Sequence, residues 1–266
     1  MLRQTYALTI RELKHWYRAR IQIFMTLIQP ILWLGLFGQA VAFPMPREML
    51  QGAPDYISFM SVGMVAVVTL FTCMFSGMSI VWDRRLGFLN KLRVAPIPRG
   101  VIPTSRVLAS VIRAMISGLM VLLIALVFVH IPGLKGLTVT SDFGAFELGS
   151  MLLIMFLLAL GFAAIFVSIA LTIKNQETLF GVVNLLNLPV MFASAALFPV
   201  DGMPGWLEAV AKVNPLTLAV DGIRQLMFEG ATSIYDLGVD MLGLMLFAGM
   251  FVGLGIILAR YSLKEK

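Results

Sequence analysis

The side chains in this sequence with chemical potential gather in two polar stretches and four stripes at helical spacing. The first stretch, Trp82 to Pro103, reads WDRRLGFLNKLRVAPIPRGVIP. Its first half is helix-compatible, with Leu86, Leu89 and Leu92 on one side and Asp83, Arg84, Lys91 and Arg93 elsewhere. Pro96, Pro98, Gly100 and Pro103 then stop any helix and turn the chain back. A short charged helix held by prolines can press on a soluble partner, and a positively charged loop can equally do no more than fix topology. The second stretch, Phe198 to Gly230, places Leu216, Ala219, Val220, Ile223, Met227 and Phe228 on one helical face, with Asp221, Arg224 and Gln225 elsewhere. Trp206 and Leu207 open a shorter apolar piece ended by Asn214-Pro215. Two short helices, each too short to span a bilayer, would bury these faces at its outer leaflet.

The stripes are Gln22, Thr26 and Gln29; Thr69, Thr72, Ser76 and Ser79; Arg106, Ser110, Arg113 and Ser117; and Asn184, Asn187 and Ser194 beside Pro189. Such stripes face protein or water, because hydrocarbon would leave them unpaired. They either glue helices together or line a path. Arg113 stands apart, since a charge within a span marks a functional site unless its long side chain snorkels back to the interface. Started near Arg106, its helix would carry Arg113 only about 10 Å deep.

Several chemistries lack their residues. There is no GxxxxGK[ST] phosphate loop, so ATP hydrolysis by that route is excluded. His15 and His130 stand far apart without a Cys or carboxylate cluster, against a metal site. Neither GxSxG nor HExxH occurs, and no run of buried acidic residues suggests proton coupling. The single Cys73 permits no internal disulfide and leaves the redox compartment unread.

The elements that must position these residues follow from composition. Of 266 residues, 59% are hydrophobic and only 13% charged, with a mean hydropathy of +0.93. A soluble domain carries about 25% charge, so this is a membrane protein. Six uncharged or nearly uncharged runs, 21–46, 56–82, 107–134, 148–173, 178–200 and 241–259, are continuous where barrel strands would alternate, so six transmembrane helices are expected. The first run exceeds a signal-peptide core, and no cleavage is expected. Fifteen of the 20 Lys and Arg fall around 3–20, 84–106, 174 and 260–266, against Arg47, Lys135, Lys212 and Arg224 on the other flanks. Both termini are therefore expected in the cytoplasm. No basic patch is interleaved with stacking aromatics, which argues against nucleic acid. Before the first run, Leu2, Tyr6, Ile10, Leu13 and Tyr17 repeat at helical intervals beside Arg3, Arg11, Lys14 and Arg18, predicting an amphipathic helix lying in the membrane interface and turning into the first span near Arg20.

On these residues the chain resembles the ABC-2 family of ABC transporter membrane subunits, in particular its drug-resistance and lipo-oligosaccharide exporter branch. The resemblance covers nearly the whole chain. Asp83 to Arg99, DRRLGFLNKLRVAPIPR, looks like the family's cytoplasmic coupling helix, and Leu197 to Gly230 like its external re-entrant region. It departs at Asn90-Lys91, where the family commonly carries acidic or mixed charge. The resemblance implies one all-α polytopic domain over 1–266, with an interfacial helix at 1–20, a coupling helix at 83–95 and external re-entrant helices at 199–235, between helices 5 and 6. It implies a non-catalytic permease subunit of an ATP-driven exporter in the plasma membrane, moving an amphipathic drug, lipid or lipid-linked glycan. A second permease copy or homologue and two cytoplasmic ATPase subunits, which would hold the ATP and Mg, are the implied partners. Arg84, Arg85, Gly87, Phe88, Leu89, Asn90 and Lys91 would dock the ATPase, with Asp83 capping the helix. Gln22, Thr26, Gln29, Thr69, Thr72, Ser76, Arg113, Asn184 and Asn187 are the candidates for the substrate path. A self-contained channel or secondary transporter, and a non-transport membrane scaffold, are the competing classes.

Overall fold

The computed structural model describes residues 2–40, 46–47, 49–87, 98, 100–173 and 175–262, with side chains described as far as residue 258. Among the described residues every regular element is helical. An N-terminal helix α1 (Leu2–Arg18) is followed by α2 (Arg20–Leu32), which runs on through a π-helical turn, Trp33–Phe37, to Ala40. Then come α3 (Tyr56–Arg85), α4 (Val101–Phe128), α5 (Ala145–Thr172), α6 (Gln176–Phe192), the short α7 (Gly205–Lys212) and α8 (Pro215–Met227), and α9 (Leu237–Ser262).

The starts are written in capping residues. The Asp55 carboxylate accepts the Ser58 N–H at 2.8 Å ahead of α3, the Asn175 side chain accepts the Glu177 N–H ahead of α6, and Asn214 caps α8 with Pro215 in its first turn. Between α1 and α2 the helix breaks at one residue, Ala19, with φ −83° and ψ 61°. Pro30 has no N–H to give the Thr26 carbonyl, and the helix widens into its π-turn just beyond.

The bundle is built around α3. Of its most apolar 18-residue window 94% is buried, against 17% for α2 and 11% for α9. α3 packs on α4 and α5, and α5 packs in turn on α9. The turns after α6 also press on α3: Gly63 lies against the backbone carbonyl of Ala196, where a Cβ has no room. Gly63→Val is therefore expected to destabilise by at least about 1–3 kcal/mol, read as a lowered unfolding temperature in detergent. Gly149→Ala, with open space around it, should not.

Among the described residues five helices are long and apolar enough to cross a membrane: Arg20–Ala40, Tyr56–Arg85, Val101–Phe128, Ala145–Thr172 and Leu237–Leu258. The run expected over 178–200 folds differently. Its helix, α6, has 17 residues and ends at Phe192, three residues beyond Pro189, and the chain continues through turns to a 3-10 turn at Val200–Gly202. At 1.5 Å per residue α6 is about 26 Å long, a little short of the bilayer core.

The N-terminal helix also has a face that packs on protein. Thr9, Glu12 and Trp16 are its buried residues, turned toward α4, the helix on which α1 chiefly packs. Leu2, Tyr6 and Tyr17 of the expected apolar stripe stay exposed. The helix thus has two working faces, one on protein and one open to its surroundings.

Candidate functional site

Arg106, in the second turn of α4, is the hub of the end of the bundle where α1 lies. Its side chain is 5% exposed. Nη1 donates to the Glu12 carboxylate of α1 and to Ser79 Oγ of α3 at 3.0 Å, and Nη2 donates to the Asp83 carboxylate in the last turn of α3. Arg11 Nη1 stands 3.0 Å from Glu12 Oε1 and 3.9 Å from Asp83 Oδ2. Two guanidinium groups and two carboxylates therefore balance, and one buried cation holds together three helices that are distant in sequence.

This geometry changes the reading of Asp83. It lies inside α3, which runs on to Arg85, so it caps no separate helix; its carboxylate is taken by Arg106. Arg84 is likewise committed: Nη1 donates to Ile173 O at 3.0 Å and Nη2 to Leu171 O at 3.2 Å, satisfying carbonyls that the end of α5 leaves open. Arg85 is exposed and donates to Gln176 Oε1 at 3.2 Å. Leu86 projects outward, 80% exposed, and Gly87 has φ +70°, a left-handed conformation natural to glycine. Phe88, Leu89, Asn90 and Lys91 lie outside the described residues.

The polar stripes divide. Gln22, Thr26 and Gln29 of α2 and Asn184 of α6 line one open groove, with Arg18 and Arg20 at one end. Its volume is about 950 Å³, and α3 supplies the far wall through Met64, Phe71, Met74, Phe75 and Trp82 among others. The α3 stripe points the other way, into the bundle. Thr69 donates to Val65 O within its own helix, Thr72 is buried, and Ser76 Oγ accepts Arg113 Nη2 at 2.7 Å. Arg113 is 7% exposed and also donates through Nε to Ala109 O. Asn187 is buried with Nδ2 2.7 Å from Met74 Sδ. The polar face of α3 thus packs on α4, where Ser76 meets Arg113, while its apolar face forms the groove.

At the opposite end a second buried cluster surrounds Arg224 of α8. Arg224 is fully enclosed; Nη1 donates to Gln51 Oε1, Nη2 to Phe59 O at 2.8 Å, and the guanidinium stands 3.4 Å over the Phe59 ring. Asp221, also fully buried, accepts the Ile234 and Tyr235 N–H groups at 2.9 and 3.1 Å, while Gln51 Nε2 donates to it at 3.2 Å. Burial pushes the Asp221 carboxyl above its ordinary range, against those N–H groups and the Arg224 charge, which pull it down. Gln225 adds a donor to Asp240 of α9 at 2.9 Å. Asp221 and Arg224 stand off the apolar face of α8 in the periodicity of the sequence. Their spacing of three was the available sign that they share a face.

Residues 3–228 match the ABC-2 type transporter family. The chain belongs to that family. The ycf38 protein of Cyanophora paradoxa, named as a transport permease, is 30% identical over 209 residues, covering 78% of this chain and 68% of its own; that of Pyropia yezoensis is 30% identical over 228 residues, covering 85% and 74%. The daunorubicin resistance ABC transporter permease protein DrrB1 of Streptomyces coeruleorubidus is 24% identical over 219 residues, covering 82% and 70%. This ABC-2 chain is thus a multi-pass membrane permease subunit, of a kind whose ATP hydrolysis resides on separate ATP-binding subunits. The matched region contains both the Arg106 hub and the groove, and stops short of α9.

Proposed function

We propose that this chain is the permease of an ATP-driven exporter, working as a dimer with a second copy or homologue and driven by two cytoplasmic ATPase subunits that carry the ATP and Mg. The domain occupies 1–266, crosses the membrane six times with α6 and the turns after it as the fifth crossing, and keeps both termini in the cytoplasm. α7 and α8 are the external re-entrant pair. The groove between α2, α3 and α6 is the path for an amphipathic drug, lipid or lipid-linked glycan.

The observation that carries this reading is the Arg106 hub. The turn that begins at Leu86 lies three residues after Asp83, and Asp83 is joined through Arg106 to Glu12 of α1. α1 runs into α2 across the single residue Ala19, and α2 is one wall of the groove. An ATPase closing on the Arg85-Leu86-Gly87 turn and the residues through Lys91 therefore pulls α3 and α1 together and moves the groove wall. A substrate takes part only through different affinity for the two positions of that wall.

The test is the double variant Gly87→Asp, Phe88→Glu. Asp tolerates the left-handed backbone at 87, so insertion should be unchanged while ATPase-dependent transport falls to background. Undiminished transport in a correctly inserted double variant would overturn the docking assignment.

A further inference from the structure

Resting on the groove as the substrate path, we infer the chemical class it takes: an anionic amphiphile entering from the membrane, with a phosphate or carboxylate head and an apolar body. Arg18 and Arg20 flank the Ala19 break at one end of the groove; both are exposed, and neither makes an ion pair among the described residues. No Asp or Glu is among the described residues lining it. Two carboxylates are close by in sequence. Asp83 is taken up by Arg106, and Glu177, exposed, precedes the lining residue Phe180 by one turn of α6. The mouth is therefore a site of net positive charge, where a negative head gains and a positive one is repelled.

Beyond that mouth the groove becomes apolar. Met25, Met64 and Phe71 offer soft, adaptable surface, and Thr26 and Gln29 place neutral hydrogen-bonding groups along it. Thr26 Oγ1 already donates to Gln22 O at 2.9 Å, and the Gln22 and Gln29 side chains in the lining add amide groups that can meet a linker or glycan hydroxyl. The volume of about 950 Å³ is at the large end for a small-molecule site, room for a head and part of its chains. With α2 so little covered, the groove opens sideways, as entry from a lipid leaflet requires. Phe71, Phe75, Trp82 and Phe180 present rings that attract cations, but such contacts act against two uncompensated like charges at the entrance.

The inference is tested with the purified full chain in neutral detergent, titrated with fluorescent short-chain phosphatidylglycerol and phosphatidylcholine of identical chains, and with doxorubicin as a cationic competitor. Phosphatidylglycerol should bind about tenfold or more tighter than phosphatidylcholine, two arginines each attracting the anionic head, and doxorubicin should not displace it. Arg18→Gln with Arg20→Gln should remove the preference and leave the remaining affinity intact. Met25→Trp, filling the groove from an exposed position, should weaken both lipids. Equal binding of the two lipids, or displacement by doxorubicin, would overturn the inference. So would a preference untouched by Met25→Trp, which would mean surface attraction alone. Absence of lipid binding together with a changed oligomeric state in Met25→Trp would overturn it too, showing a second copy in the groove. The assay contains no ATPase, so its failure beside an intact ATPase complex would refute the ligand class and leave the permease reading standing.

Discussion

Arg106→Gln should lower the stability of the protein by about 3–5 kcal/mol, the cost of leaving buried carboxylates without their cation. Glu12 and Asp83, with side chains 8% and 15% exposed, would face each other with the half-exposed Arg11 as their remaining ion-pair partner among the described residues. Thermal unfolding in detergent reads the effect. The triple variant Glu12→Gln, Asp83→Asn, Arg106→Met removes all three charges together, and replacing a complete buried ion network is close to neutral. It should recover most of the stability while transport stays lost, because α1 is no longer tied to the end of α3. A triple variant that transports normally would make the hub a matter of stability alone. An Arg106→Gln protein with unchanged unfolding would refute the hub itself.

Arg224→Leu is expected to cost a similar amount, about 3–5 kcal/mol, through the opposite end of the bundle. It strips a partner from Gln51 and from the Phe59 carbonyl, and leaves buried Asp221 without the nearest positive charge. Arg224→Lys should recover less than half of the loss. One ammonium cannot serve Gln51 and Phe59 O in two directions while lying flat on the Phe59 ring. Because this cluster's hydrogen bonds tie Gln51, α8 and the segment at Ile234–Tyr235 together, proteolysis near Tyr235 should accelerate in step with the loss of stability. A lysine variant as stable as the native protein would show that charge alone matters there.

Much of the scaffold was legible in the sequence, for local reasons. Long apolar runs have one low-energy form in hydrocarbon, the helix, and Asp55, Asn175 and Asn214 each satisfy N–H groups within a turn of themselves. The site was less legible because it is made by pairing across the chain. Arg106 finds Glu12 at a separation of 94 residues, and no spacing rule announces such a partner. The polar stripes illustrate the same limit. Periodicity puts Thr69, Thr72 and Ser76 on one face but cannot say which neighbour that face meets; the structure turns it onto α4 and gives the groove the apolar face. α6 falls short for an energetic reason, since Pro189 and the following turns let the segment after Phe192 close onto Gly63.

The most direct test of the central claim is gentle solubilisation from native membranes, identification of what copurifies, and an assay of ATP hydrolysis. The permease reading predicts a stable complex with an ATP-binding subunit and vanadate-sensitive ATPase activity. A lone oligomer of this chain without ATPase activity, still able to move solute or silent in transport, would contradict it.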